Sequence, residues 1–249
     1  MTHLLGAVLA LAALSTSTAA DAATIAIDVG HYLEEPGATS ARGRPELEFN
    51  RELAHEIETQ LQARGYATRL IGADGAMKDL SQRARAAQGT ALFISVHHDS
   101  TRARLQSAWT YEGTEQRYSD LFAGFSTFVS RENAHWRAGL RCASAIGASL
   151  VKAGFRPSLY HADAVMGENR PFADKSNGVH YFDHLAVLRH ASMPALLFEA
   201  GVIVNRDEEI RMRDSSVRQL IAASVADGIV ACLKRDEGKP NNKGKAHVE

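Results

Sequence analysis

Short apolar runs alternate with helical stretches along this chain, and three of the runs end on ionisable side chains. Residues 24–28 (TIAID) lead through Val29 and Gly30 to His31. Residues 91–97 (ALFISVH) end on His97, with His98 next, and residues 195–198 (ALLF) run into Glu199. Over residues 46–64, Phe49, Leu53, Ile57 and Leu61 recur every four residues, the spacing of one helix face, and Gly65 is placed to end that helix. Apolar strands without polar alternation are covered on both faces. The pattern therefore predicts the α/β class: a three-layer αβα sandwich, its twisted sheet largely parallel or mixed, with helices on both faces. Further strands are expected at 67–71, at 124–130 (alternating, so less buried) and at 185–189. Further helices are expected at 81–88, capped by Ser81, and at 133–153. A last helix places Val217, Leu220, Ile221, Ser224, Val225, Gly228, Ile229 and Cys232 on one face.

Residues 4–14 (LLGAVLALAAL) are apolar but shorter than the roughly 20 residues that cross a bilayer. Small residues in a small-x-small pattern follow, so residues 1–22 read as a signal peptide. Residues 239–249 are polar and read as a flexible tail, leaving 23–238 as one domain. No later segment reads as a membrane span, and the mature protein is expected in the periplasm or outside the cell. There Cys142 and Cys232 could pair, or Cys232 could stay a buried thiol. With 28 basic against 29 acidic residues the chain has no basic field, which speaks against nucleic acid as a partner.

In open α/β sheets, ligands bind beyond the carboxyl ends of the strands. His31, His97, His98 and Glu199 collect there, and the loop after His31 delivers Glu46 and Glu48 at a helix start. No Cys-x-x-Cys pair exists, so a metal would have to be held by His, Asp or Glu. Two imidazoles and a carboxylate form a zinc-hydrolase ligand set, with another carboxylate free to act as base.

These blocks resemble the zinc-dependent N-acetylmuramoyl-L-alanine amidases of the amidase-3 type. The family's Asp-Pro-Gly-His-Gly stands here as Asp28-Val29-Gly30-His31-Tyr32. Its Gly-Ala element and helix-start Glu with a downstream Asn stand as Gly37-Ala38 and Glu46 to Asn50. Its Ser-Ile-His-Ala-Asn stands as Ser95-Val96-His97-His98-Asp99. Its Val-Leu-Arg and Pro-Ala-x-Leu-x-Glu-x-Gly blocks stand as Val187-Leu188-Arg189 and Pro194 to Gly201.

The resemblance implies one Zn2+ per chain held by His31, Glu46 and His97, with Glu199 as the catalytic carboxylate. The family's Glu lies four residues before the Asn, which selects Glu46 over Glu48. Residues 23–238 are then the catalytic domain, and peptidoglycan is the substrate. Glu199 is expected where the strand ends, with Gly201 turning the backbone away. Asp28 is expected to hydrogen-bond a ligand imidazole, or simply to end its strand. Arg189 is expected to meet a stem-peptide carboxylate, or to pair within the fold. His98 should face away from His97, because adjacent strand residues point to opposite faces. Two segments exceed the family pattern: residues 101–123, expected as a semi-ordered flap near the cleft, and residues 156–173. Both could wall the cleft or be surface elaborations. Another zinc peptidase of the stem peptide and an inactive wall-binding regulator are the alternative functions. A regulatory partner is left unidentified.

Overall fold

In the computed structural model, residues 23–237 are described; the signal-peptide and tail readings fall on residues outside them. β1 (Thr24–Val29), β2 (Ala67–Ile71) and β3 (Leu92–Asp99) are parallel neighbours, and β9 (Ala195–Val202) continues the parallel set beside β3. β6 (Ser126–Val129) runs antiparallel to β9, and the short β8 (Val179–Tyr181) and β7 (Phe172–Asp174) complete the order β2-β1-β3-β9-β6-β8-β7. The sheet is thus mixed rather than wholly parallel.

One face packs against α1 (Glu46–Ala63), α3 (Trp136–Lys152) and α6 (Ser215–Glu237) through Ile25, Ile27, Ile94, Val96, Leu196 and Phe198. The other face, with Ala26, Phe93, Phe128 and Leu197, is covered by α2 (Leu80–Ala86) and the single turn α4 (Ala186–Arg189). A disulfide between Cys142 and Cys232 ties α3 to α6, closing the choice that sequence left open.

Several local expectations are corrected. Asp79, not Ser81, caps α2: its carboxylate accepts from the backbone N–H groups of Ser81 and Gln82. The alternating residues of β6 do not mark a solvent face, since β6 lies between β9 and β8 and all four of its residues are buried. Residues 186–189 are a helical turn, because Val187 and Leu188 reach the core from consecutive positions of a turn. β9 continues through Gly201 to Val202, so Glu199 lies within the strand rather than past its end.

The segment Ser215–Lys234 does reach the length and apolarity of a membrane span, with mean hydropathy 1.4, contrary to the sequence reading. It is placed as a core helix: Ile221, Ala222, Val225, Ala226 and Ile229 are buried against α1 and α3, whereas Leu220 faces outward.

Elements not foreseen are α5 (Arg206–Arg213), β7, β8 and a hairpin of β4 (Ser107–Tyr111) and β5 (Thr114–Tyr118). Where a semi-ordered flap was expected, the chain forms a regular two-stranded hairpin. Trp109 Nε1 donates to the Ala41 carbonyl (2.8 Å), and the Arg42 and Arg206 guanidinium groups lie against the Trp109 ring. It rides on the loop that enters α1.

Candidate metal centre and active site

β1 stops at Val29, and the Gly30 N–H still donates to the Val96 carbonyl (3.0 Å), so His31 is the first residue free of the sheet. His31 adopts a left-handed backbone (φ 70°), and its ring meets the His97 ring edge-on with centroids 4.9 Å apart. Such a conformation costs about 1–3 kcal/mol in a residue with a Cβ and needs support from its surroundings. Arg83, from α2 and 1% exposed, supplies it: the guanidinium donates to the Val29 and His31 carbonyls and to Asp28 Oδ1 (2.7 Å). The other Asp28 oxygen accepts from Ser95 Oγ (2.7 Å). Asp28 therefore does not bond a ligand imidazole as the resemblance suggested. Its oxygens are taken by Arg83 and Ser95, and it acts on His31 only through the backbone that Arg83 holds. Arg83 escaped the sequence reading because its positive charge on a short helix looks solvated until the fold buries it.

Glu46 opens α1 and is 4% exposed. Its Oε2 lies 3.0 Å from His31 Nε2 and accepts from the Ala38 N–H (3.0 Å). Its Oε1 lies 3.0 Å from His97 Nδ1 and accepts from the Asn50 amide (3.1 Å). Burial alone would raise this carboxyl, but hydrogen bonds and charge from His31 and His97 override it and hold Glu46 well below the usual range. Glu48 points outward and pairs with Arg44 (2.8 Å), so the geometry selects Glu46.

Ligand atoms of His31, Glu46 and His97 all lie within 4.8 Å of one another. Two glycines leave room for this cluster. A Cβ on Gly30 would stand 2.3 Å from the His97 ring, and one on Gly37 would stand 2.4 Å from Glu46 Oε2. Two imidazoles and a carboxylate, seated where only glycine backbone leaves room for them, fit a single Zn2+ by donor chemistry.

His98 faces the other way: its Nδ1 meets Asn50 Oδ1 at 2.8 Å, and burial holds it neutral with a pKa of about 3.

Glu199 sits on β9 in register with His97, so both side chains leave the same face of the sheet. Burial raises its carboxyl well above the ordinary value, with the charges of Asp99, Glu46 and Glu168 adding to the shift. A cavity of about 350 Å³ opens against His31 and His97, walled by Tyr32, Lys78, Val187 and Leu197. A separate cleft of about 420 Å³ is lined by Ala38, Ser40, Ser100, Gln106 and Gln116, between the loop that enters α1 and the hairpin. Arg189 lines neither space. It pairs loosely with Glu132 (3.8 Å) at the surface.

The second excess segment, residues 156–173, is tied to the end of β3. His161 Nε2 lies 2.6 Å from Asp99 Oδ2, and its Nδ1 lies 3.0 Å from Glu168 Oε2. Burial would lower His161, but the charge and hydrogen bond of Asp99, then those of Glu168, raise it to about 9. The hydrogen bond from His161, with Arg170, draws Glu168 down to about 2. A histidine raised from about 6.5 on folding gives stability that is complete below 6.5 and lost as pH rises through 9. His180, lowered to about 4 by burial, works only on the acid side of that window. The melting temperature should therefore fall between pH 6.5 and 9, and His161→Gln should flatten that limb. An equal slope in the variant, read by calorimetry, would show that the clamp does not carry the effect.

Known proteins share this arrangement of chain. The chain is 26% identical over 230 residues to N-acetylmuramoyl-L-alanine amidase AmiC of Neisseria meningitidis, matching 82% of this chain and 51% of that protein. It is 27% identical over 233 residues to probable N-acetylmuramoyl-L-alanine amidase AmiB of Haemophilus influenzae, matching 84% and 51%. It thus spans about half the length of these curated relatives. The crystal structure of the amidase Ami1 from Mycobacterium smegmatis superposes with a TM-score of 0.68 at 20% identity, covering 86% of this chain and 99% of that one. The catalytic domain of the amidase CwlV from Bacillus (Paenibacillus) polymyxa gives 0.64 at 24% identity, covering 85% and 98%. At those identities the structures speak for a shared fold. The family model for N-acetylmuramoyl-L-alanine amidase (Amidase_3) matches residues 25–231, so the chain, which carries the His31–Glu46–His97 cluster inside that span, belongs to this amidase family.

Proposed function

We propose that this protein is a zinc-dependent peptidoglycan hydrolase. It cleaves the amide between N-acetylmuramic acid and the L-alanine of the stem peptide. The observation that carries the reading is the His31–Glu46–His97 cluster with Glu199 in register beside it, in a chain of this family. His31, Glu46 and His97 would hold the zinc. When bound there, zinc supplies a lowered pKa for water and polarisation of the scissile carbonyl.

The protein's own groups do the rest. Arg83 and the Gly30 amide hold the His31 loop in place, and Asn50 and Ala38 orient the Glu46 carboxylate. Glu199 takes a proton from the attacking water as its oxygen bonds to the carbonyl carbon. It returns that proton to the alanine nitrogen as the C–N bond breaks. Its desolvated setting, shared with Asp99 and Glu46, raises its affinity for that proton.

We place the mature protein outside the cytoplasm, a reading supported by the Cys142–Cys232 disulfide, since such bonds persist in oxidising compartments. Digestion of purified peptidoglycan should release intact stem peptides with a free N-terminal L-alanine, read by mass spectrometry. Products cut within the stem would establish a peptidase instead. Activity should vanish with chelator and return with added zinc; full activity in chelator would end the metal assignment.

A further inference from the structure

β6 runs antiparallel to β9 with Ser126 opposite Glu199, Thr127 opposite Phe198 and Phe128 opposite Leu197. Directly opposed residues project from the same face, with Cβ atoms about 4.5–5.5 Å apart. Phe128 and Leu197 pack together on the face covered by α2 and α4, and Ser126, two residues from Phe128, shares that face. Glu199 therefore has His97 on one flank, from β3, and Ser126 on the other, from β6.

Ser126 is fully buried, and its Oγ has no hydrogen-bond partner. Glu199 Oε2 is likewise buried and unpartnered. Buried polar atoms rarely stay unpaired, and each one that does calls for an explanation. A serine hydroxyl offers one donor proton that rotates freely, and a carboxyl oxygen can accept it. The two orphaned atoms are complementary; they do not bond to each other in this structure, but the register sets their residues directly opposite, so a side-chain rotation is all that separates them from a hydrogen bond.

We infer that Ser126 is a positioning residue for the hydrolysis: its hydroxyl donates to one oxygen of the Glu199 carboxylate and aims the other at the reacting water. This role rests on the assignment of Glu199 as proton carrier. Proton transfer needs the carboxylate within hydrogen-bond reach of the water, and a carboxyl fixed at one oxygen loses its freedom to rotate away. The serine touches no reacting atom; it acts through Glu199.

The test is a double-mutant cycle on the zinc-loaded protein. Ser126→Ala should keep zinc content and melting temperature near those of the unaltered protein. Its KM should change little, while kcat falls roughly tenfold, the scale of one hydrogen bond. Ser126→Thr, which keeps the hydroxyl, should recover most of that loss. In a Glu199→Gln background, Ser126→Ala should cost nothing further, because the pair works as a unit.

An unchanged kcat in Ser126→Ala beside an inactive Glu199→Gln overturns this inference and leaves the role of Glu199 standing. So does a Ser126→Ala loss of the same size in both backgrounds. A kcat loss matched by lost zinc or a lower melting temperature assigns Ser126 to packing alone. Near-normal activity of Glu199→Gln overturns the proton-carrier reading itself, and this one with it.

Discussion

Glu199→Gln should give a folded protein that holds zinc and binds peptidoglycan but turns over two to four powers of ten more slowly, roughly the contribution of general acid–base catalysis. That is about 3–5.5 kcal/mol of lost transition-state stabilisation at 1.36 kcal/mol per tenfold. Glutamine keeps the length and can still hydrogen-bond, but it cannot take a proton. The site makes the comparison clean. Glu199 is held within β9 by pairing to β3 on one side and β6 on the other, so the substitution changes chemistry without moving backbone. Replacing a buried carboxyl of raised proton affinity by a neutral amide also imposes no new charge. Steady-state kinetics on peptidoglycan fragments, with zinc measured in the same samples, reads the outcome. Zinc lost together with activity would make Glu199 a metal ligand. Activity within a few-fold of normal, with zinc present, would end the proposed mechanism.

The second large effect is expected from the histidine pair on β3. His97→Ala removes one of the three proposed ligand groups and the imidazole 3.0 Å from Glu46 Oε1, so zinc should drop from near one per chain to near none after dialysis. His98→Ala should retain the metal. Its ring lies on the opposite face against Phe49 and Asn50, so the cost falls on stability. Leaving the Asn50 carbonyl oxygen without this partner costs about 1–3 kcal/mol. Metal analysis and thermal melting of the two variants should thus give opposite patterns. Zinc lost in His98→Ala but kept in His97→Ala would mean the strand register is wrong.

The layered α/β architecture was legible in the sequence because it follows from local pattern, and pattern also gathered the candidate polar residues; the choice of His31, Glu46 and His97 among them came from the family resemblance. A run such as residues 91–97 has no polar face to show water, so it must be a covered strand; the strand runs on to Asp99, so His97 lies near its end rather than at it. Neighbouring residues of a strand point to opposite faces, which already separated His97 from His98. The helix-face spacing of Phe49, Leu53, Ile57 and Leu61 fixed α1 and brought Glu46 to its first turn, with Asn50 one turn on.

Contacts between residues far apart in the chain were decided only by the tertiary structure. Arg83 reads as a surface charge on a short helix, yet it is buried because α2 lays it across the end of β1. Asp28 was read either as bonding a ligand imidazole or as simply ending its strand; its actual partner is an arginine 55 residues away, which no motif can announce. His161 stood in a segment without pattern, and only the chain's return across β3 sets it between Asp99 and Glu168. The antiparallel β6 looked half-exposed because Ser126 and Thr127 are polar, and pairing on both sides buried them. Periodicity states which side of an element is covered; what covers it depends on strand order, and strand order is a property of the whole chain closing on itself.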